Sequence, residues 1–308
     1  MGYNRTARSL SWGSTRRALA TRKSEIVEGE GSLMKLSARI IAGIALLLVL
    51  GSTTGCTKLR ARDQLVKGVQ AFKAGHYEEA IGHFQNSIAL DPNYESARLY
   101  LATAYSYEVV PNLDTPENLA TAKKAMDGFN EVLAKNPNDV DALKQVASIQ
   151  RNIKQFDAAK ATYQKLIALN PNDAESNYTI GVIDWTQAYK NAVGTLAEQN
   201  LQDDGNGNVK MNKATCAKMK DQNTQLIDEA MKYLNRAVEI RPNYDDAMSY
   251  LNLSYRRKAD LECPNDAARK EDLAQADQWV QKAIGARKAN EAEKEKKAAG
   301  GVVMENGK

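Results

Sequence analysis

The 308-residue chain holds only two histidines, three cysteines, seven prolines and four phenylalanines, and each scarcity removes a class of explanation. His76 and His83 are the whole histidine complement. With both in the first unit, at a turn and on an exposed helix position, they do not point to a Ser-His-Asp site, and no cysteines or carboxylates stand at zinc-ligand spacing around them. No catalytic residue, no cofactor and no metal ligand is assigned. Gly205-Asn206-Gly207 has no strand before it and is not a phosphate loop. Asp204, Asn206 and Asn208 take the first three ligand positions of an EF-hand loop. Val209 stands where that loop needs glycine, however, and Thr215 where it needs a bidentate glutamate, so the segment reads as a turn. No apolar run reaches the roughly 20 residues of a membrane-spanning helix; the longest, Ile40–Leu50, has eleven. The formal charge of +4 is also uneven, since residues 1–55 hold eight Lys/Arg against three Asp/Glu and leave 34 basic and 35 acidic residues, a net of −1, in the rest. That balance lacks the electrostatic footprint of a nucleic-acid binder, so no nucleic acid is expected as a partner.

What is present begins with an address. Met34–Arg39 is a short basic segment, Ile40–Leu50 is an apolar run of signal-peptide length, and Ser52-Thr53-Thr54-Gly55-Cys56 places small residues before a cysteine. This resembles the lipobox of bacterial lipoproteins, with Thr53 where leucine is usual. The resemblance implies a signal peptide over 34–55 and lipid, with palmitate, on Cys56. An ordinary signal peptide or signal anchor with an incidental cysteine is the alternative. Residues 1–33 are polar, have no periodic apolar face, and read as a non-native upstream extension with translation starting at Met34.

Few prolines together with 43% apolar and 26% charged residues favour an all-α chain with a substantial core. Four Pro-Asn pairs, at Pro92, Pro137, Pro171 and Pro242, organise it. Twelve residues before each proline stands an alanine (Ala80, Ala125, Ala159, Ala230), and eight before it a large apolar residue (Phe84, Phe129, Tyr163, Leu234). An alanine lets two helices approach closely, the large residue fills the gap between units, and the proline ends the helix. Successive prolines are 45, 34 and 71 residues apart, a 34-residue period with additions of 11 and 37. With Gly68, Phe72, Gly75, Tyr77, Ser87 and Leu90 in the first unit, this pattern resembles the tetratricopeptide repeat (TPR). The resemblance implies an all-α, TPR helical-hairpin solenoid of about five repeats over 57–285, at 61–94, 95–138, 140–173, 174–243 and 245–285. Residues 286–308 read as a charged helix end and a disordered tail.

The additions fall between the two helices of repeats 2, 4 and 5. Thr115-Pro116-Glu117 reads as an N-cap followed by proline at the first helical position, so the second helix of repeat 2 starts early. In repeat 4, apolar residues at three- and four-residue spacing continue from Trp185 to Leu201. After the breaker Asp203–Asn208 they resume at Cys216, which describes a lengthened helical hairpin projecting about 20 Å. All the additions emerge on one edge, a second candidate binding surface or a set of mutual braces.

The family's groove positions, carried onto this sequence, are Leu65, Val69, Phe72 and Lys73; Leu99, Thr103 and Tyr107; Lys144, Arg151 and Asn152; Tyr178 and Trp185; and Leu253, Arg256 and Arg257. The resemblance implies a non-enzymatic scaffold or adaptor for protein-protein interaction at the bacterial envelope. Its partners would be other envelope proteins, in envelope-complex or pilus assembly, with contact to a membrane through the lipid anchor. The expected location is periplasm-facing, and Thr57 in place of aspartate favours the outer membrane. A solute- or glycan-binding periplasmic solenoid is the alternative. The Lys/Asn set with which chaperone-cofactor relatives clamp a peptide carboxylate is absent. Once Cys56 carries lipid, Cys216 and Cys263 remain, an even pair suited to a disulfide in an oxidising compartment. Regular helices would leave them roughly 10 Å apart in height, so a bridge requires the hairpin to bend, and the alternative is that Cys216 fills the apolar stripe.

Overall fold

The computed structural model describes residues 56–302 with the exception of Pro264. Among these residues there is no strand, and ten α-helices follow one another. They are α1 (56–73), α2 (Tyr77–Leu90), α3 (Glu95–Glu108), α4 (Pro116–Lys135), α5 (Val140–Asn152), α6 (Phe156–Leu169), α7 (Ala174–Ala197), α8 (Lys213–Ile240), α9 (Asp245–Ala259) and α10 (Asp266–Val302). From α2 onward each helix packs on the next in the chain, and the odd and even helices form five hairpins stacked as a solenoid. The upstream extension, signal peptide and small-residue run before Cys56 fall on 1–55 and lie outside the described residues. Cys56 is exposed and its thiol is free.

The spaced residues do what their chemistry dictates. Ala80, Ala125, Ala159 and Ala230 are fully buried, and Phe84, Phe129, Tyr163 and Leu234 are buried beside them on the same even helices. Small residues on the odd helices complete the approach. A β-carbon on Gly68 would collide with the Phe84 ring, and one on Gly181 would lie 2.5 Å from Leu234 Cγ. The four Pro-Asn segments close with one turn: Tyr94, Asp139, Asp173 and Tyr244 each donate a backbone N–H to the carbonyl three residues earlier, at 3.0 Å. In three of them the residue before proline also accepts from the asparagine N–H through its side chain (Asp91 3.2 Å, Asn136 3.3 Å, Asn170 3.2 Å). The fourth has Arg241 there, and its guanidinium lies 4.1 Å over the Tyr244 ring instead.

The additions lengthen helices. Thr115 caps α4 by accepting from Asn118 N–H at 3.3 Å, and the buried Asn118 side chain holds the preceding loop through Val110 and Leu113. Helix α7 has 24 residues against 13 in α5, which makes it about 15 Å longer. It stops at Ala197 rather than reaching Leu201, so the hairpin is shorter than expected. Its seam buries Ala188, Ala192, Leu196, Met219 and Ile227, and Leu261 reaches in from the turn after α9. In the last hairpin the added residues start α10 early, and the helix runs on through the charged stretch to Val302.

Cys216 and Cys263 are joined by a disulfide with Cα atoms 6.1 Å apart. The expected height difference vanishes because α9 ends at Ala259 and the chain folds back, Leu261 N–H meeting the Lys258 carbonyl at 2.8 Å. Cys263 therefore does not climb a continuing helix. Alkylation of denatured, unreduced protein should leave Cys216 and Cys263 unlabelled. The bridge spans 47 residues, and urea unfolding with reductant should show a loss of about 4 kcal/mol.

Candidate functional site

Two aromatic assemblies form on the odd helices, the first joined by Tyr77 from the start of α2. At the first, Phe72 ends α1, Tyr77 opens α2 and Tyr107 lies in the last turn of α3. Their ring centroids are 5.3, 5.0 and 5.2 Å apart, within the range where tilted and edge-on pairs attract. Phe72 also packs on the core, which anchors the group, while Tyr107 remains 58% exposed and available to a partner. Tyr100 stacks on Phe84 at 5.6 Å, and with Val66 it adds exposed apolar surface.

The second assembly is a ladder from α9 to α7. Tyr178 contacts Tyr244 at 4.9 Å and Tyr250 at 5.8 Å, and Trp185 meets Tyr250 edge-on at 5.3 Å and stacks on Tyr189 at 5.2 Å. Burial raises the Tyr178, Tyr244 and Tyr250 hydroxyls above the usual tyrosine range, so they remain donors; the Tyr244 hydroxyl donates a hydrogen bond to Glu175 at 2.9 Å. Arg151, exposed at the end of α5, stands within electrostatic reach of Tyr163, Tyr178 and Tyr250. The Trp185 Nε1 atom is buried and has no hydrogen-bond partner among the described residues, so the indole serves the packing of the ladder as well as its surface.

Three expected groove residues are committed elsewhere. Leu65 is 9% exposed because it shares the inward stripe of α1 with Ala61, Gly68 and Phe72, and it packs in the first core cluster. Arg256 is held by Asn252 (3.0 Å), the Gly205 carbonyl (3.1 Å) and Asp277 (2.9 Å). Arg257 is 4% exposed, with Asp203 at 2.7 Å and Asp260 at 2.9 Å. Both arginines clamp the addition of repeat 4 onto α9. The EF-hand-like segment is part of this clamp: Asp204 accepts from the N–H groups of Asn206 (2.8 Å) and Asn208 (3.0 Å), and Asn208 donates to Asp260 at 2.8 Å.

The remaining positions divide. Val69 packs beside Phe72, and Lys73 is exposed. Thr103 turns its hydroxyl back to the Leu99 carbonyl at 2.9 Å, Asn152 offers its carbonyl to Asn112 N–H at 2.8 Å, and Leu253 is half-buried. Leu99 and Lys144 line two separate clefts of 650 and 340 Å³ beside the Pro-Asn turns. The sequence reading missed Val66, Tyr100 and Tyr250, which follow the assigned groove positions by one residue on α1 and α3 and precede Leu253 by three on α9. A helix face broad enough to include both neighbours would have found them. His83 bonds to Gln64 at 2.8 Å and His76 stays at the turn. Among the described residues no group of three His, Cys, Asp or Glu side chains is placed to hold a metal.

The tetratricopeptide-repeat family matches residues 141–173 and 222–244, within repeats 3 and 4. The Hsp70-Hsp90 organizing protein of Triticum aestivum is 28% identical over 115 residues, which are 37% of this chain and 18% of that protein, so the chain spans under a fifth of that curated relative. Among solved structures, MamA from Desulfovibrio magneticus RS-1 aligns with a TM-score of 0.48 at 16% identity, covering 75% of this chain and 96% of that one. YrrB, titled a TPR protein with an unusual peptide-binding site, aligns with a TM-score of 0.42 at 17% identity over 73% of this chain and 90% of its own.

A triad centred on the buried Asp184 binds the middle repeats together. Lys160 on α6 bridges Asp184 on α7 at 2.5 Å and Glu229 on α8 at 2.8 Å. Burial pushes the Asp184 carboxyl up to about 6 from 3.8, against the pull of Lys160. The folded chain thus holds a proton that the unfolded chain has released between those values, so this group makes the protein more stable as pH falls from above 6 toward 4. Burial raises Asp260 in the same sense. Urea unfolding between pH 7.5 and 4.5 should show that gain, and Asp184→Asn should reduce it, leaving the part that comes from Asp260.

Proposed function

We propose that this chain, a solenoid of tetratricopeptide repeats, is a non-enzymatic scaffold that binds an extended segment of a partner protein along its odd-numbered helices. We also propose that it is held at a bacterial envelope membrane, facing the periplasm, by lipid on Cys56. The observation that carries the binding role is the set formed by two aromatic assemblies, Phe72 with Tyr107 and Tyr250 with Trp185, the second with Arg151 in electrostatic reach. It combines aromatic rings fixed by one another with an exposed arginine, the residue types that concentrate binding energy in protein interfaces. Rings already held by neighbours lose little side-chain entropy when a partner arrives. The name of the wheat relative, an organizing protein of Hsp70 and Hsp90, supports a protein partner. A glycan or solute would need open ring faces around a closed pocket, whereas Trp185 and Tyr250 spend theirs on stacked and edge-on contacts.

Support for the tether comes from position. Cys56 is an exposed free thiol at the start of α1, directly after Gly55 and the short apolar run. Among the described residues no helix is long and apolar enough to cross a membrane. The role is that of an adaptor in an envelope assembly, of which pilus assembly is one form.

A photoreactive residue replacing Tyr107 should crosslink a partner in cells, and one replacing exposed Asn86 on α2 should not. Tyr107→Ala should weaken partner binding by more than about 1 kcal/mol, beyond the small stability loss from its contacts with Phe72 and Tyr77; equal crosslinking from both positions would reject the groove. Cys56→Ser should move the protein out of the membrane fraction and abolish incorporation of labelled palmitate. A variant that stays membrane-bound would replace the lipid tether with a signal anchor.

A further inference from the structure

The edge of the solenoid opposite the Pro-Asn turns carries a cleft of 610 Å³ that the groove does not use. It is walled by the loop between α7 and α8, the first turns of α8, and the turn that leads into α10. All of these are additions to the repeat. We propose that this cleft is a second docking site, for a partner segment in which an aliphatic or aromatic side chain is flanked by carboxylates.

The floor supplies the apolar half of that match. Val209, Met211, Ala217 and the Cys216–Cys263 bridge line it, and Val209 is 61% exposed, a branched side chain held out from the core beside an open apolar recess. A cleft of this size suits one or two side chains, since sites of about 300–1,000 Å³ take small ligands and a whole helix needs more. The recess is also braced in advance. The bridge ties α8 to the turn after α9, Arg269 donates to the Asn206 carbonyl at 3.0 Å, and a β-carbon on Gly207 would lie 2.5 Å from Arg269 Cδ. Pre-organisation of this kind lowers the ordering cost of binding.

Charge supplies the other half. Lys213 and Lys220 line the cleft from α8, both exposed, and neither forms an ion pair among the described residues. The opposite wall carries Asp266 and Glu262. Asp266 is already paired with Arg269 and with Lys270 at 2.7 Å, whereas Glu262 is only within reach of Lys258, which is itself paired with Asp272 at 2.7 Å, so two unpaired lysines face one unpaired carboxylate. The uncompensated charge is therefore positive. Seven residues apart, the two lysines share a helix face at about 10 Å separation. That spacing fits carboxylates on both sides of an apolar anchor, whereas the single head group of a fatty acid would meet only one of them.

The proposal rests on the scaffold reading but concerns a different surface, and the test separates the two. The full-length chain is applied to an array of nonapeptides with central Leu, Met or Phe between glutamates, beside matched arrays with lysine for glutamate and alanine for the anchor. Wild type should retain the acid-flanked peptides at least tenfold better than the lysine-flanked ones. Lys213→Glu/Lys220→Glu should reverse that preference, while crosslinking from position 107 continues unchanged. Val209→Asp, at an exposed loop position, should abolish retention with the unfolding midpoint preserved. Equal retention of all arrays, or an acid preference that survives the double variant, would overturn the proposal. So would titration with decanoate showing binding that the double variant abolishes while no peptide is retained, which would assign the cleft to a small anionic amphiphile. Array binding that persists without any adduct at position 107 would reject the groove and leave the cleft standing.

Discussion

Everything in this solenoid depends on how closely one helix can approach the next. Where Ala80 and Gly68 face each other's helices around Phe84, and Ala230 and Gly181 around Leu234, there is no room for even one more methylene. Such contacts are short-range, and a large-to-small change at Phe84 or Phe129 would cost on the order of 3–5 kcal/mol. Because the even helix of one hairpin is also the packing partner of the following odd helix, the same contacts that close a unit set the position of the next. The aromatic assemblies are placed by the same packing, since Phe72 and Trp185 lie against core clusters while Tyr107 stays exposed beside them.

That economy explains how much could be read beforehand. The period, the five hairpins and the sites of the additions follow from Ala, large apolar, Pro-Asn at fixed offsets, because those offsets are consequences of the packing. Phe72, Tyr107 and Trp185 were legible for the same reason. Arg256 and Arg257 were not. Their helix positions are groove positions in a regular repeat, but residues 203–208 from the preceding unit come back to meet them, an approach of more than fifty residues' separation that no local period records. Leu65 was misplaced by a smaller effect. The inward stripe of α1 is wide enough to take it, leaving Val66 outside.

The Arg257 clamp shows why an addition can be folded rather than loose. A buried guanidinium facing Asp203 and Asp260 has been taken out of water, and the pair attraction offsets that penalty only while both carboxylates stay in place. Asp260 Oδ2 and Arg257 Nη1 lie 2.9 Å apart yet lack hydrogen-bond alignment, so part of the desolvation cost remains unrelieved. Releasing the loop would leave Arg257 buried without Asp203, a loss of about 3–5 kcal/mol for breaking such a pair. The loop is therefore coupled to α9 by the charge it neutralises, and the disulfide close by acts on a segment that is already folded back.

The two candidate surfaces follow from this division of labour. On the groove side the arginine left free, Arg151, sits among tyrosines whose hydroxyls stay protonated. Its charge is thus directed to whatever lies across the groove rather than consumed by an ion pair. On the edge side the arginines are consumed, Arg257 and Arg256 by the clamp and Arg269 by Asp266 and the Asn206 carbonyl, and lysines are left over. A lysine ammonium is strongly hydrated and mobile, which makes it a weaker anchor than a fixed guanidinium but a good selector of charge. The groove is accordingly suited to hold a chain by aromatic contact. The cleft, smaller and bordered by lysine, is suited to discriminate among chains that the groove has already brought near, because two weak contacts on one partner multiply when the partner can reach both.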